Sequence, residues 1–272
     1  MTIRELCKTC AAHLQTENAD FEARQIVLHQ LKRGGSDYIL QAKAPVPADT
    51  ARICEELVDR RNSGIPLYYL LGECEFYGLP FLVGPGVLIP RADTETLVDC
   101  ALSKIKDLSN PRVLDLCSGS GCVAVSIAKH RPDAVVTAVE LHEKAFSFLQ
   151  RNIVLNQTKN VQAVRGNALT FTGDYDLVTC NPPYIALEEK QTLQREVRKE
   201  PETALFAGSD PYLFYRRICA NFKAVKGVTL CFEVGVLMDS KTAIILKENG
   251  FTAIEITKDL CGIPRVVCGR QN

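Results

Sequence analysis

Beyond residue 94, short apolar runs alternate with longer stretches in which apolar residues recur at helical spacing. The short runs are typical of buried strands, and the longer stretches are typical of helices packed on a sheet. The predicted strands are 112–116, 135–140, 161–165, 175–180 and 228–234, and the predicted helices are 94–107, 120–130, 142–155, 210–224 and 238–249. This alternation predicts an α/β fold with parallel strands and right-handed crossovers.

The tail of the chain departs from the alternation. It has two strand-like runs, 252–257 and 264–269, with a short turn and no helix between them. A pair of strands joined in this way is expected to be antiparallel. Ligands of such mixed sheets bind at the carboxyl ends of the parallel strands.

The beginning of the chain has a different pattern. Residues 1–70 read as short helices, one of which should bury Ile53, Leu57 and Val58 on a common face. Aromatic and branched residues on both sides of Gly78 then predict a β-hairpin. A small helical region is therefore expected ahead of the α/β region.

Composition excludes some classes of protein. The chain has 272 residues, 46% of them hydrophobic, which is enough for one large domain or for a core domain and a small one. Lys+Arg and Asp+Glu both total 32, and this neutrality counts against a dedicated duplex-DNA binder. No apolar run approaches the ~18 residues of a membrane span. With no signal-peptide core at the N-terminus, we expect a cytoplasmic protein.

Twelve cysteines suggest a disulfide scaffold until their positions are considered. Most stand inside apolar or helical patterns, where cysteine behaves as a small hydrophobic residue. Cys7 and Cys10, followed by His13, resemble a metal or redox pair, but no second ligand pair follows at zinc-finger spacing. The spacing also fits a helix face, so we expect core cysteines and no metal.

The segment Asn181–Tyr184, Asn-Pro-Pro-Tyr, directly follows a predicted strand. The Asn181 amide oxygen and the Pro182 carbonyl can each accept a hydrogen bond, and the two prolines restrict the backbone that carries them. Such a turn suits a planar –NH2 group whose nitrogen is to be methylated. An Asn-Pro dipeptide can also be an ordinary turn.

The residues between the first two predicted strands point to a nucleoside ligand. Gly119 and Gly121 permit close approach of a ligand to the backbone. Glu140 ends the next strand, where doubly wound folds place the carboxylate that binds ribose hydroxyls. The loop alone fits nicotinamide or S-adenosylmethionine, because Ala124 is permitted in the dinucleotide pattern. The Asn-Pro-Pro-Tyr turn favours S-adenosylmethionine, since hydride transfer has no use for an amide acceptor.

Together these features resemble the HemK/PrmC family, the protein-(glutamine) methyltransferases of peptide chain release factors. The resemblance covers nearly the whole chain, and its most specific part is the Pro-Arg-x-Asp-Thr-Glu run within Val87–Glu95. It implies a seven-stranded Rossmann-like methyltransferase domain at 90–272 and a helical substrate-docking domain at 1–72. A hairpin linker at 73–89 would join them.

The family also implies roles for individual residues. Asn181, Pro182 and Tyr184 would be catalytic, and with Pro183 and Arg91 they would bind the glutamine of a Gly-Gly-Gln loop in class I release factors. The residues expected to bind S-adenosylmethionine and its product S-adenosylhomocysteine are Cys117, Ser118, Gly119, Ser120, Gly121, Glu140, Asn167, Ala168 and Asn181. We expect a monomer that forms no stable complex with nucleic acid or membrane.

Three positions depart from the family pattern: Asn167 replaces the usual Asp, Ala168 offers no ring to stack on adenine, and Met238 stands near the place of a frequent Gln. We expect the Asn167 amide oxygen to accept from the adenine amine. The alternatives are an adenine amino-methyltransferase acting on DNA or RNA, and a non-catalytic S-adenosylmethionine-binding protein. A nicotinamide dehydrogenase ranks last.

Overall fold

The computed structural model describes residues 1–272. The chain forms two compact units. We call residues 1–72 with 194–199 the N-terminal unit, and residues 73–193 with 200–272 the sheet unit. No helix is both long enough and apolar enough to cross a membrane.

The N-terminal unit is helical. Its helices are α1 (Ile3–His13), α2 (Ala19–Gln30), α3 (Asp37–Leu40), α4 (Ala48–Asn62) and α5 (Leu67–Leu71). A capping box starts α1, in which the Thr2 hydroxyl accepts from the Glu5 N–H and the Glu5 carboxylate accepts from the Thr2 N–H. Cys7 and Cys10 lie on the buried face of α1, where the unit has its apolar core.

The expected buried face of α4 is wrong at one position. Ile53 is 36% exposed, whereas Cys54 is fully buried with Leu57 and Val58. These three residues and Arg61 are spaced three or four apart and share one face of the helix. Ile53 lies one position earlier, which rotates its side chain about 100° away from that face.

Residues 194–199 pack on the end of α4. The Arg195 guanidinium donates to the carbonyls of Asn62 and Ser63 over 3.1 and 2.8 Å. A Cβ on Gly64 would lie 2.6 Å from Arg195 Nε, and Gly64 has φ +91°, so this position requires glycine. Glu196 accepts from Arg61 over 3.0 Å. The segment is thereby fixed to the N-terminal helices by both backbone and side-chain contacts.

The sheet unit begins with the predicted hairpin around Gly78, formed by β1 (Glu73–Phe76) and β2 (Leu79–Leu82). The larger sheet comprises β3 (Arg112–Leu116), β4 (Val135–Glu140), β5 (Val161–Arg165), β6 (Leu177–Cys180), β7 (Thr229–Glu233), β8 (Phe251–Lys258) and β9 (Pro264–Gln271). Its helices are α6 (Glu95–Lys104), α7 (Cys122–His130), α8 (Glu143–Leu155), α9 (Glu202–Leu205), α10 (Leu213–Phe222) and α11 (Asp239–Glu248), with 3₁₀ turns at Ala92–Thr94 and Leu187–Thr192. A further 3₁₀ turn, Val197–Lys199, belongs to the N-terminal unit.

The seven strands lie in the order β5-β4-β3-β6-β7-β9-β8. The first five of these are parallel, and β9 pairs antiparallel with both β7 and β8. The α/β fold with a seven-stranded sheet is confirmed. Its central strands β3, β6 and β7 are almost wholly buried, as apolar strands covered on both faces must be.

Three cysteines meet in the core where α6 crosses the sheet. Cys231 and Cys268 are directly paired residues of β7 and β9, and their sulfur atoms lie 2.7 Å apart. Cys100 of α6 lies 3.1 Å from the Cys268 sulfur. All three are buried free thiols.

Candidate active site

A cleft opens at the carboxyl ends of β3, β4 and β6, with an empty volume of about 1110 Å³ counted to its open mouth. This is the edge of the sheet at which α/β folds bind ligands. The cleft is lined by most of the predicted site residues, namely Arg91, Cys117, Ser118, Gly119, Ser120, Glu140, Asn167, Ala168, Asn181 and Pro183. Gly121, Pro182 and Tyr184 are not among the residues that line it, although each adjoins a residue that does.

The glycine loop is shaped by left-handed backbone. Gly121 has φ +83°, and a Cβ there would lie 2.5 Å from Leu149 Cδ1 in the core. Gly119 has φ +55°, and its N–H donates to Glu140 Oε2 over 2.9 Å. The other carboxylate oxygen of Glu140 accepts from the His142 N–H over 2.7 Å. These bonds fix the carboxylate beside the loop, and each oxygen retains a lone pair for a ligand.

Asp115 is a fully buried acid at the base of the same loop. Its Oδ1 accepts from the Thr179 hydroxyl over 2.8 Å, while Oδ2 has no hydrogen-bond partner. Burial raises the pKa of Asp115 to about 7. A buried, unsatisfied acceptor that lines a cleft is a place for a ligand donor.

Asn167, in the loop after β5, uses its amide oxygen within the chain as well as facing the cleft. Its amide oxygen accepts from the Leu169 N–H over 2.9 Å, which closes a local turn. Only the second lone pair of that oxygen is left for a ligand. Ala168 is buried in the core and contributes to the cleft wall.

The Asn-Pro-Pro-Tyr turn is anchored through the Asn181 side chain. Asn181 Nδ2 donates to the Thr94 hydroxyl over 3.2 Å. The amide nitrogen is thus engaged, and the amide oxygen takes no part in this hydrogen bond. Pro182 and Pro183 are buried. Tyr184 packs beside Met238 and against Gly235, where a Cβ would come within 3.0 Å of the tyrosine ring. Burial raises the pKa of Tyr184 to about 12, so its hydroxyl stays protonated at neutral pH.

Arg91 is paired with Glu200, and the contact is a direct hydrogen bond between guanidinium and carboxylate. Glu200 is 4% exposed and also accepts from the Ile89 N–H over 2.9 Å. Arg91 lines the cleft but already has this charged partner. A role for Arg91 in substrate binding remains a prediction.

Sequence reasoning missed three residues of the site: Thr94, Asp115 as an ionisable group, and Glu233. Thr94 ends the Pro-Arg-x-Asp-Thr segment, where the sequence predicts only the start of a helix. Glu233 is 3% exposed at the end of β7, and burial raises its pKa to about 7 against the opposing effect of neighbouring Thr94. Each acid lies near the carboxyl end of an otherwise apolar strand, Asp115 as the penultimate residue of β3 and Glu233 as the last of β7. An acid in such a position is the signal that could have identified them.

The residues of the cleft suit an S-adenosylmethionine ligand on structural grounds. Side chains on Gly119 and Gly121 are disfavoured by the positive φ values, and glycine at both positions keeps the loop backbone open to a ligand. The Asp115 Oδ2 acceptor suits an ammonium group, and Glu140 suits a pair of hydroxyls.

Two domain families match the chain. Residues 5–72 match the PrmC N-terminal domain, and residues 92–214 match the methyltransferase small domain. The two matches fall on the helical region and on the half of the sheet unit that contains the cleft.

Curated relatives resemble the chain over most of its length. A release factor glutamine methyltransferase of Thermodesulfovibrio yellowstonii is 37% identical over 255 residues, which cover 90% of each chain. The enzyme of that name from Geobacter sulfurreducens is 36% identical over 277 residues, covering 99% of this chain and 96% of the relative. The one from Fusobacterium nucleatum is 38% identical over 82% of this chain, and the match spans 65% of that relative's length.

Solved structures share the fold at low identity. The catalytic domain of hMettl16, in complex with the MAT2A 3'UTR hairpin 6, superposes with a TM-score of 0.60 at 17% identity, over 83% of this chain and 82% of that one. The Thermus thermophilus 16S rRNA methyltransferase RsmC, in complex with AdoMet and guanosine, gives 0.51 at 19% identity, over 74% and 50%. At such identities the likeness establishes the fold alone.

Proposed function

Because this chain belongs to the release factor glutamine methyltransferase family, we propose that it methylates the side-chain amide nitrogen of a release-factor glutamine. The methyl donor is S-adenosylmethionine, and S-adenosylhomocysteine is the product. The observation that carries the proposal is the Asn181 carboxamide, anchored through its nitrogen to Thr94 at the rim of the cleft. Its oxygen is thereby available to accept from a substrate amide.

The turn supplies acceptors where the substrate needs them. An amide nitrogen is a poor nucleophile because its lone pair is delocalised into the carbonyl. In our proposal the Asn181 oxygen accepts one N–H of the glutamine amide and the Pro182 carbonyl accepts the other. Holding both N–H bonds turns the nitrogen lone pair toward the methyl donor. Tyr184, protonated and packed on Gly235, would flank the flat amide.

Most of the acceleration is expected to come from orientation. Positioning two groups in a reactive arrangement can lower a barrier by about 7–11 kcal/mol in well-oriented systems. The same two acceptor dipoles would stabilise the positive charge that develops on the nitrogen. No side chain of the turn is placed to act as a base, so water is expected to take the proton after transfer.

The glycine loop and the acids around it would hold the cofactor. S-Adenosylmethionine supplies an electrophilic methyl group on a sulfonium. We assign Cys117–Gly121 to its methionine portion, with Asp115 Oδ2 accepting from the ammonium group. Glu140 would bind the ribose hydroxyls, and Asn167 would meet the adenine amine through its remaining lone pair. The pairing of Gly119 with Glu140 supports this assignment, because it places backbone and carboxylate side by side.

We further propose that residues 1–72 dock the release factor, whose Gly-Gly-Gln loop would present the glutamine. The match of residues 5–72 to the PrmC N-terminal domain supports this, as does the separate apolar core of the helices.

The experiment is methyl transfer from labelled S-adenosylmethionine to a purified class I release factor, followed by peptide mass spectrometry. The expected result is one added methyl on the loop glutamine and none on a factor whose glutamine is changed to alanine. Asn181→Ala should reduce turnover strongly, with cofactor affinity within a few-fold of wild type. Labelled nucleic acid with an unlabelled factor would instead show an adenine amino-methyltransferase. Cofactor binding without transfer to any substrate would show a non-catalytic binder.

A further inference from the structure

Three polar side chains meet at the start of the Asn-Pro-Pro-Tyr turn: Asn181, Thr94 and Glu233. Asn181 Nδ2 donates to Thr94 Oγ1 over 3.2 Å, and the Glu233 carboxyl faces both of them. Thr94 is 2% exposed and Glu233 is 3% exposed. The group is therefore shielded from water on the side away from the cleft.

The sheet fixes this arrangement. Cys180 of β6 pairs with Phe232 of β7, so Asn181 and Glu233 are the next residues along two adjacent parallel strands. Residues paired across parallel strands direct their side chains to the same face. The Glu233 backbone is also held from the other side, because the buried Tyr215 hydroxyl donates to its carbonyl over 3.0 Å.

The direction of the hydrogen bonds follows from the hydroxyl between them. A threonine hydroxyl has one proton to donate and lone pairs with which to accept. Since Thr94 accepts from Asn181, its proton is left to donate. The neighbouring Glu233 carboxyl can accept that proton when it is ionised, and Thr94 acts to lower the pKa of Glu233 as a donor to the carboxylate does. A hydroxyl whose proton is held in this way must present a lone pair to Asn181. That pins the amide nitrogen inward and the amide oxygen outward.

We propose that Glu233 is a positioning residue for methyl transfer, which orients the Asn181 carboxamide through the Thr94 hydroxyl so that the amide oxygen faces the substrate. This proposal rests on the proposed function. The deprotonated carboxyl fits the task because it offers only acceptors, and with a pKa of about 7 this form becomes the main one as pH rises above neutral. A glutamine could turn a donor toward Thr94 and allow Asn181 to flip. Glu233 Oε2 is buried without a hydrogen-bond partner, which is typical of a group retained for function rather than for stability.

The test uses the full chain and a release factor whose methylation by the wild-type enzyme has first been measured. Failure at that first step would contradict the proposed function and not the role of Glu233. Glu233→Gln and Thr94→Val should each lower kcat by about 10–100-fold, the size expected for a misplaced reactive group. KM for the release factor and Kd for S-adenosylmethionine should change by less than about threefold. Thr94→Ser, which retains the hydroxyl, should restore most of the activity lost in Thr94→Val.

A double-mutant cycle separates positioning from general support of the fold. If Glu233 acts through Asn181, then Glu233→Gln should cause no further loss of kcat when it is added to Asn181→Ala. Single-turnover assays with enzyme in excess give the required sensitivity. A purely structural Glu233 would reduce kcat by the same factor in both backgrounds.

Three results would overturn the proposal. One is a multiplicative loss in the double variant, and another is wild-type turnover by Glu233→Gln. The third is equal turnover by Thr94→Val and Thr94→Ser. That last comparison can still overturn the proposal if Glu233→Gln does not fold, because both threonine variants leave the carboxyl in place.

Discussion

Arg61 and Glu22 form a doubly hydrogen-bonded ion pair in the core of the N-terminal unit. Arg61 Nε lies 2.7 Å from Glu22 Oε2, and Arg61 Nη2 lies 2.9 Å from Glu22 Oε1. The two side chains are 6% and 10% exposed. The pair joins α4 to α2 inside the region that we propose docks the release factor.

Arg61→Met is expected to destabilise the N-terminal unit by about 3–5 kcal/mol, because it leaves the Glu22 charge buried without its partner. Hydrogen exchange of the amides in residues 1–72 measures this directly. Arg52→Met is the control, since the pair of Arg52 with Glu56 is 63% and 59% exposed and should contribute little. Equal protection of the amides in both variants would contradict the prediction.

Gly121→Ala should be more harmful than Gly227→Ala. Both glycines have left-handed backbone, with φ +83° and +79°, but only the Cβ at 121 meets a core side chain, Leu149. Holding an alanine in left-handed backbone costs about 1–2 kcal/mol of stability in either variant. Overpacking should add about 1–3 kcal/mol at Gly121. Thermal unfolding should therefore show the lower Tm for Gly121→Ala, and identical values would mean that Leu149 moves aside freely.

Asp115 should make stability fall as pH rises. Burial raises its folded-state pKa from an ordinary 3.8 to about 7, so between these values the folded chain binds more protons than the unfolded chain. Stability is then lost as pH rises through this window, by at most roughly 4 kcal/mol for a difference of about three pKa units.

Asp115→Asn removes this titration. Denaturant unfolding at several pH values should show the variant gaining stability over wild type from about pH 4 to pH 7, with a constant difference above that. Glu233 titrates in the same window in both proteins, so the difference isolates Asp115. A difference that does not depend on pH would show that Asp115 ionises normally.

Thiol modification should report occupancy of the cleft. Cys261 is exposed, Cys117 is partly buried and lines the cleft, and the other ten cysteines are buried. An alkylating reagent should therefore modify Cys261 quickly and Cys117 more slowly. Saturating S-adenosylmethionine should protect Cys117 and leave the rate at Cys261 unchanged, as measured by peptide mass spectrometry. Unprotected Cys117 would place the cofactor elsewhere.

The strands of the parallel sheet could be predicted well because they are continuous apolar runs. The bounds of β3 and β4 are those expected from the sequence, and β6 begins two residues later than predicted. Ile53 shows the limit of this reasoning, because neighbouring apolar residues on a helix cannot all share its buried face. One of them turned outward, and only the packing of α4 decided which.

The site could be predicted only where its chemistry is local. The glycine loop and the Asn-Pro-Pro-Tyr turn are contiguous motifs, so their residue types indicate what they present. The contact of Asn181 with Thr94 joins residues 87 positions apart, and Glu233 reaches the same place through strand register. Arg91 likewise meets a partner, Glu200, that lies 109 residues away. Such pairings depend on tertiary structure, and no spacing rule reveals them.

The position of β9 determines the order in which the sheet can be completed. It is the last strand along the chain, yet it lies between β7 and β8, so β8 has no neighbour in the sheet until residues 264–271 are available. A nascent chain that extends only as far as β8 already contains the five parallel strands and every residue that lines the cleft, but its β7 lacks the neighbour on one edge. Such edges favour association with other chains. The exposed edge of β7 is therefore covered only after the residues of the cleft have been synthesised, when β9 inserts between β7 and β8.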